Sequence, residues 1–294
     1  KRKSMIQDKL NKLYDLVFGK ELGVLPGNLA YSFFLSIIPI LTIIVFVLTS
    51  FNLPMDSVNN FLSDTFPRSV VELLQPIFTS ELTADSLMTI VLGLIVIING
   101  CNAIILASNT IYNVENASLL RRIVKSIILA ICIILLFAFM VIVPLLGKSI
   151  LTVIGSISDI FAKHDKLVGI LYIIIQVPVS LLVVYFLIKV VYTVAPDERI
   201  PSKYTTKGAL FTSISWLAIT GIYSYYINNI ARYDIVYGNL ANIVMLLLWF
   251  YILAYVFVIG LCLNKNKTDK GIEQTNTIIL DEIRKRVQEE KKKK

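Results

Sequence analysis

The chain alternates between long runs without charged residues and shorter polar segments. Six runs contain no Asp, Glu, Lys or Arg: 22–55, 86–114, 126–147, 167–188, 208–231 and 235–264. The shortest of them has 22 residues, and about 20 apolar residues are enough for a helix to cross a bilayer. The pattern therefore predicts an all-α polytopic membrane protein with six transmembrane helices.

These helices form one predicted domain, residues 1–264, and a basic tail follows over 265–294. The predicted spans lie at about 29–50, 86–110, 126–147, 167–190, 208–228 and 239–263. The widest interval between the uncharged runs has 30 residues, which is too short for a soluble catalytic domain. Composition agrees, because only 16% of the residues are charged, against about 25% in soluble domains.

Lys and Arg are distributed unequally between the two ends of the predicted spans. One end, which includes both chain termini, has 23 of the 28 basic residues, and the other end has 5. Basic residues stay on the cytoplasmic side of a membrane, so we predict that the N- and C-termini are cytoplasmic. The net charge of +8 is then explained by topology and by anionic lipids of the inner leaflet rather than by nucleic acid.

Three polar segments have apolar residues at helical spacing: the N-terminal segment, the loop 51–85 and the stretch 149–163. We expect amphipathic helices there that lie along the membrane surface. The tail has a narrower apolar stripe from Thr275 onward. That stripe predicts either a helix held by a partner or disorder.

Groups capable of acid–base or metal-assisted catalysis are scattered along the chain. The single histidine, His164, falls in a predicted loop, and no P-loop or zinc-protease motif is present. Asp197 and Glu198 precede Arg199, as in a solvated helix terminus. We therefore predict no enzyme, no cofactor and no metal site.

Asparagines are regularly spaced in the second span. Asn99, Asn102, Asn109, Asn113 and Asn116 recur at intervals of 3, 7, 4 and 3 residues, which places them within an arc of about 100° on a helix. An unpaired amide is costly in hydrocarbon. We favour the interpretation that this face lines a water-filled cavity. The alternative is that its amides make hydrogen bonds to neighbouring helices.

Two spans have a central proline, Pro39 in the first and Pro178 in the fourth. Each proline frees a backbone carbonyl, and the polar residues Ser32, Ser36 and Gln176 lie beside these breaks. Broken helices in corresponding halves are typical of transporters built from inverted repeats. Proline is also common in membrane helices generally, so both interpretations stay open.

Near the outer ends of the last two spans are Tyr226, Tyr237 and Asn239. Tyrosines at this level either anchor a helix at the interface or point into an internal pocket. The candidate residues for a cavity or for cargo binding are Ser32, Ser36, Pro39, Asn99, Asn102, Asn109, Asn113, Gln176, Pro178, Tyr226, Tyr237 and Asn239.

Several of these residues stand in motifs of a known family. Residues 29–39 are similar to its first-helix signature of Ala-Tyr, a Ser and then Pro, and residues 109–114 to the end of its second helix. The segments 195–199, 237–241 and 249–251 then follow in the family's order. The chain resembles the YihY/BrkB family of bacterial inner-membrane proteins, once labelled ribonuclease BN, which implies six membrane helices and no nuclease activity.

One departure from the family concerns the end of the last helix. The family usually has Gly-Ala-Glu-x-Asn there, whereas this chain has Gly260-Leu261-Cys262-Leu263-Asn264. The spans therefore offer no carboxylate for ion coupling. We expect a transporter or flippase-like protein whose partners are membrane lipids and a lipid-linked or amphiphilic cargo. The alternative is a non-transporting scaffold or envelope-homeostasis factor that recruits partners through its basic tail.

Overall fold

The part of the chain that the structure describes consists of helices and the short segments that connect them. The structure is a computed structural model and describes residues 20–50, 63, 84–157, 165–230, 235 and 237–265. Side chains are described over 23–44, 91–136, 178–227 and 240–265 and at a few neighbouring positions. The long helices are α1 (Lys20–Ser50), α2 (Ala84–Tyr112), α3 (Leu119–Ile157), α4 (Asp165–Val194), α5 (Ser202–Asn229) and α6 (Ala241–Lys265).

The all-α prediction is confirmed, with six long helices in the described ranges. Among the described residues, three helical segments are long and apolar enough to cross a membrane: Gly23–Ile44, Val91–Tyr112 and Ala241–Lys265. A fourth apolar segment, Pro178–Val194, is shorter. The fold is therefore that of a membrane protein with several candidate spans.

Helix α3 is longer than the span predicted for it. Its 39 residues correspond to about 58 Å, roughly twice the thickness of the hydrocarbon core. It continues past residue 147 into the stretch that we expected to be a separate interfacial helix, where the sequence Gly147-Lys148-Ser149 contains no proline to end it. The other predicted interfacial helices, before residue 20 and near 70–78, and the tail after 265 lie outside the described residues.

Helix α6 is the central element of the bundle. Helices α1 to α5 pack against one another in chain order, and α6 contacts α1, α4 and α5 through the ring of Phe257. The centroid of this ring lies 6.2 Å from that of Phe33, 4.8 Å from that of Tyr192 and 6.4 Å from that of Trp216. Because Phe257 is only 1% exposed, it marks the centre of the core.

Helices α5 and α6 approach each other closely at two glycines. A Cβ on Gly208 would collide with the carbonyl oxygen of Gly260 and would come within 2.5 Å of the Asn264 amide. The backbone N–H of Gly208 instead donates to Asn264 Oδ1 at 2.8 Å. Because glycine has no side chain, the backbones of the two helices come into contact at Gly208 and Gly260, and a hydrogen bond stabilises this contact.

A buried tyrosine of α4, Tyr192, makes hydrogen bonds beside the same contact between α5 and α6. The Tyr192 hydroxyl donates to the Phe257 carbonyl oxygen at 2.7 Å and lies 2.7 Å from Thr212 Oγ1. A Cβ on Gly260 would collide with both hydroxyls. Tyr192 and Thr212 are fully buried, so these hydrogen bonds satisfy polar groups that have no access to water.

Two glycines of α5 form a matched pair for testing this contact. Gly208→Ala forces a backbone shift and should lower stability by about 1–3 kcal/mol. Gly221→Ala meets no atom within 4 Å and should leave stability unchanged or raise it, because alanine favours helix. Thermal unfolding in detergent measures both, and equal melting temperatures for the two variants would contradict the close backbone contact.

Candidate functional site

A cavity of about 190 Å³ lies where the six helices meet, and each helix contributes to its described lining. Helices α1 to α4 each form one wall, with Phe33, Ile97, Ile133 and Val184 among the respective lining residues. Mainly aromatic residues of α5 and α6, together with Leu217, Thr220 and Leu253, form the remaining walls. None of the lining residues is charged. The structure therefore contains a partly open, apolar cavity between the helices of a membrane protein.

The wall contributed by α2 follows simple helical periodicity. Ile97, Gly100, Cys101 and Ile104 line the cavity at spacings i, i+3, i+4 and i+7, which lie on one face of a helix. A Cβ on Gly100 would collide with the Ser36 hydroxyl of α1. Gly100 therefore makes the space in which the Ser36 side chain lies on the cavity wall.

Five aromatic rings form a large part of the lining: Phe33, Trp216, Trp249, Phe250 and Phe257. The rings of Phe33 and Phe250 are 6.3 Å apart at 64°, and those of Trp249 and Phe250 are 4.9 Å apart at 48°. Such tilted and edge-to-face pairs are favoured by the charge distribution of aromatic rings. The rings stabilise one another around the cavity.

Among the candidate residues from the sequence, the cavity lining includes Ser36. On the same helix, Ser32 and Pro39 are half-buried. Helices α1 and α4 are continuous through Pro39 and Pro178. Pro178, Tyr226 and Tyr237 are exposed, and the side chains of Gln176 and Asn239 lie outside the described residues. A role in cargo binding for these residues stays a prediction.

The asparagine face of α2 points away from this cavity. At about 100° per residue, the face that bears Asn99, Asn102 and Asn109 is roughly 160° around the helix from the cavity-lining face. Asn99 and Asn113 are exposed, Asn102 is half-buried and Asn109 is 1% exposed. Whether these residues bind cargo stays a prediction.

Asn109 makes hydrogen bonds of the kind considered as the alternative to a wet cavity. Its amide nitrogen donates to Asp197 Oδ2 at 2.6 Å and to Asn116 Oδ1 at 2.9 Å. In return, the Asp197 backbone N–H donates to Asn109 Oδ1 at 2.8 Å. This reciprocal pair joins the C-terminal end of α2 to the loop between α4 and α5.

Lys125 of α3 completes a cluster around the Asp197 carboxylate. Lys125 Nζ lies 3.0 Å from Asp197 Oδ1 and also donates to the Pro196 carbonyl oxygen, while the Ala117 N–H donates to Asp197 Oδ2 at 3.1 Å. The side chains of Asp197 and Lys125 are 6% and 19% exposed. The prediction of a solvated helix terminus is therefore wrong for Asp197, because its side chain is buried by these contacts. The partners lie 72, 80 and 88 positions away in the chain.

The surroundings of Asp197 favour its ionised form. Burial raises the pKa of the Asp197 carboxyl. The hydrogen bonds from Ala117, Asn109 and Lys125 and the charge of Lys125 lower the pKa by more than burial raises it, so the pKa lies below its ordinary value. A lowered folded-state pKa contributes stability above the ordinary carboxyl pKa of about 3.9. This contribution is lost as the pH falls through the lowered pKa, so the cluster is intact at neutral pH.

Asn113 ends helix α2 and does not continue its helical face. Its φ of 55° is left-handed, and its N–H donates to the Thr110 carbonyl while the Val114 N–H donates to the Asn109 carbonyl, which is a Schellman motif. With its amide oriented to satisfy both neighbours, Asn113 accepts a hydrogen bond from Lys265 Nζ at 2.9 Å. The signal available in the sequence was an asparagine at the end of an apolar helical run, since asparagine tolerates this conformation.

The described residues contain no group of three His, Cys, Asp or Glu side chains that could hold a metal ion. The titratable residues of the Asp197 cluster, Asp197 and Lys125, are bonded to each other. The arrangement thus offers an apolar space at the centre of the bundle and a structural polar cluster at one end.

Removing Lys125 tests the Asp197 cluster. Lys125→Met leaves a buried carboxylate without its ion-pair partner and should destabilise the protein by up to about 3 kcal/mol. Arg121→Met, on the same helix but at an exposed position, should have little effect. The double variant Lys125→Met, Asp197→Asn should be more stable than Lys125→Met alone, as judged by thermal unfolding. A double variant less stable than both single variants would contradict the buried pair.

The chain matches the family described as Virulence factor BrkB over residues 19–276. YfkH of Bacillus subtilis strain 168, whose name calls it ribonuclease-like, is 27% identical over 239 residues, which cover 80% of this chain and 86% of YfkH. A UPF0761 membrane protein of Haemophilus influenzae strain 86-028NP is 23% identical over 264 residues, which cover 85% of this chain and 93% of that protein.

A UPF0761 membrane protein of Pseudoalteromonas translucida strain TAC 125 is 32% identical over a shorter region of 91 residues, 31% of this chain and 30% of that protein. No solved structure matches the chain. Because the family match extends over most of the chain, from residue 19 to residue 276, the protein belongs to the virulence factor BrkB family of membrane proteins.

Proposed function

We propose that this protein moves a lipid or another amphiphilic molecule between the leaflets of the bacterial cytoplasmic membrane and that it is not an enzyme. The observation that carries the proposal is the apolar, uncharged cavity at the junction of the six helices. An apolar lining of this kind favours hydrocarbon groups over water. The hydrophobic part of the cargo occupies this space during its passage.

The cavity also limits what the protein handles. A charged head group would lose its hydration without gaining a partner there, because no lining residue is charged. The head group therefore passes outside the cavity while the hydrocarbon part is held. Asn99, exposed on α2, and the half-buried Asn102 are polar groups outside the cavity that are available to hydrogen-bond a head group.

We further propose six membrane spans with both termini in the cytoplasm. The proposal is supported by the excess of Lys and Arg at one end, 23 against 5, and by two contacts between segments assigned to that end. The Lys125–Asp197 pair joins the start of α3 to the loop between α4 and α5. Asn113 and Lys265 join the ends of α2 and α6.

Reporter fusions test this topology. The position after Lys294 should be cytoplasmic, because basic residues are retained inside, so green fluorescent protein fused there should be active and alkaline phosphatase inactive. The position near Asp64 should be external, so alkaline phosphatase inserted there should be active and green fluorescent protein inactive. Matched pairs of alkaline phosphatase and green fluorescent protein fusions give opposite readings at each position. A cytoplasmic Asp64 would overturn the arrangement of all six spans.

Lipid movement is tested by filling the cavity. Leu187 lines it, whereas Leu182 on the same helix is 54% exposed. Leu187→Trp should occupy part of the space and slow the exchange of fluorescent lipids between leaflets of proteoliposomes by at least severalfold, whereas Leu182→Trp should exchange lipids as the parent does. Exchange by the parent no faster than in protein-free vesicles, across several head groups, would remove the proposal.

A non-transporting scaffold is the second candidate. The hydrogen bonds of Asn109 to Asp197 and Asn116 favour it, because they show a buried asparagine that holds segments of the chain together. In a scaffold, the two Trp variants would differ only in stability and lipid exchange would be absent from the parent. The exchange assay therefore separates the two functions.

A further inference from the structure

A lysine lies within the apolar part of helix α4. Lys189 belongs to the apolar segment Pro178–Val194 and is half-buried. Its ammonium lies over the ring of Tyr185, 5.5 Å from the ring centroid, and among the described residues no carboxylate forms an ion pair with it. A charged side chain in a membrane helix is costly and is normally paired, so Lys189 is suited to an anionic partner.

The Lys189 side chain extends away from the nearer end of α4. Side chains of a helix lean toward its N-terminus, and the contact with Tyr185, four residues earlier in the chain, shows this direction here. The ammonium therefore lies at about the level of residues 185 to 189, which is roughly 8 to 14 Å from the end of the helix at Val194. An anion that pairs with it has to approach from the membrane.

The same side chain lies outside the central cavity. At about 100° per residue, Lys189 is roughly 150° around α4 from the cavity-lining face, to which Val184 and Ile188 belong. One turn later, the Thr193 hydroxyl donates to the Lys189 carbonyl oxygen at 2.8 Å and lies 3.0 Å from Thr205 Oγ1 of α5. Lys189 is therefore on the outer face of α4, near its contact with α5.

Exposed apolar side chains continue along this face from Lys189 toward the middle of the membrane. Phe186 and Leu182 are both exposed and lie within about 60° of Lys189 around the helix. The rings of Phe186 and Tyr185 pack edge to face, with centroids 5.6 Å apart. The face thus presents a cation at one end of an apolar strip, which complements a molecule with an anion at one end of a hydrocarbon chain.

We propose that an anionic phospholipid binds to this face of α4, with its phosphate paired to the Lys189 ammonium and an acyl chain along Phe186 and Leu182. Lysine binds phosphate as a point charge. A free phosphate ion would lose its hydration without covering the apolar strip, and the cationic group of a zwitterionic lipid would offset the attraction. The inference does not require lipid movement. The proposed topology places the lipid in the cytoplasmic leaflet.

Native mass spectrometry of the full chain in detergent counts the lipids that stay bound. Three probes are titrated separately: dioleoylphosphatidylglycerol, dioleoylphosphatidylcholine and glycerol phosphate. They represent an anionic lipid, a zwitterionic lipid with the same acyl chains and a soluble phosphate without chains. The parent should bind its first phosphatidylglycerol more tightly than its first phosphatidylcholine, and it should bind glycerol phosphate more weakly than either.

Lys189→Met should weaken the first binding step of phosphatidylglycerol about fivefold, the effect of one lysine near an anionic lipid, and leave phosphatidylcholine unchanged. Lys189→Arg keeps the charge and should keep the preference for the anionic lipid. Arg121→Met is the matched control, because it removes the same charge from an exposed position on α3. It should weaken binding by less than about twofold.

Equal binding of phosphatidylglycerol by the parent and Lys189→Met would overturn the site. An equal loss in Lys189→Met and Arg121→Met would do the same, since it is the result expected of general surface charge. Glycerol phosphate that binds as tightly as phosphatidylglycerol, and that also depends on Lys189, would show a site for a soluble anion and overturn the lipid.

Folding is controlled within the same set of variants. Lys189→Met breaks no ion pair among the described residues, so its melting temperature without lipid should equal or exceed that of the parent. If it melts earlier, Lys189→Gln and Lys189→Arg provide the comparison of a neutral and a charged side chain. Lipid exchange is measured separately in proteoliposomes, so this site and the proposed transport function can fail independently.

Discussion

Polar groups buried in a membrane protein have to find their hydrogen-bond partners within the protein, and this requirement holds the helices together here. At one end of the bundle, the Asp197 carboxylate, in the loop between α4 and α5, receives hydrogen bonds from Asn109 of α2 and Lys125 of α3. Deeper in the bundle, the Tyr192 hydroxyl joins α4 to the backbone of α6. The bonds of Asp197 hold two helices against a loop, and the bond of Tyr192 holds one helix against another.

The central cavity depends on the same contacts. Phe257 of α6 packs against rings of α1, α4 and α5, and the Gly208–Gly260 contact brings α5 and α6 close together. Around these contacts the helices leave an apolar cavity with no charged residue in its described lining.

Much of the architecture was predictable because hydrophobic segments of about 20 residues have few alternatives to a helix in a membrane. The uncharged runs predicted six helices, and the described residues form six long helices. The site was less predictable. Ser36 was among the candidate residues. The apolar residues Ile97, Gly100, Cys101 and Ile104, which line the cavity, were not candidates, because the sequence of an apolar helical face does not reveal whether that face contacts lipid or a cavity. The expectation for Asp197 failed for a related reason, since its partners are distant in sequence.

The sequence alone determined the helical class, the membrane environment and the unequal distribution of basic residues, because these follow from local composition and from the length that a bilayer demands. Only the tertiary structure decided which face of α2 lines the cavity, that Asn113 ends this helix, and that Lys125 and Asp197 form a buried pair. The physical reason is that helical periodicity defines the faces of each helix, whereas the neighbour of each face is decided by packing among residues far apart in the chain.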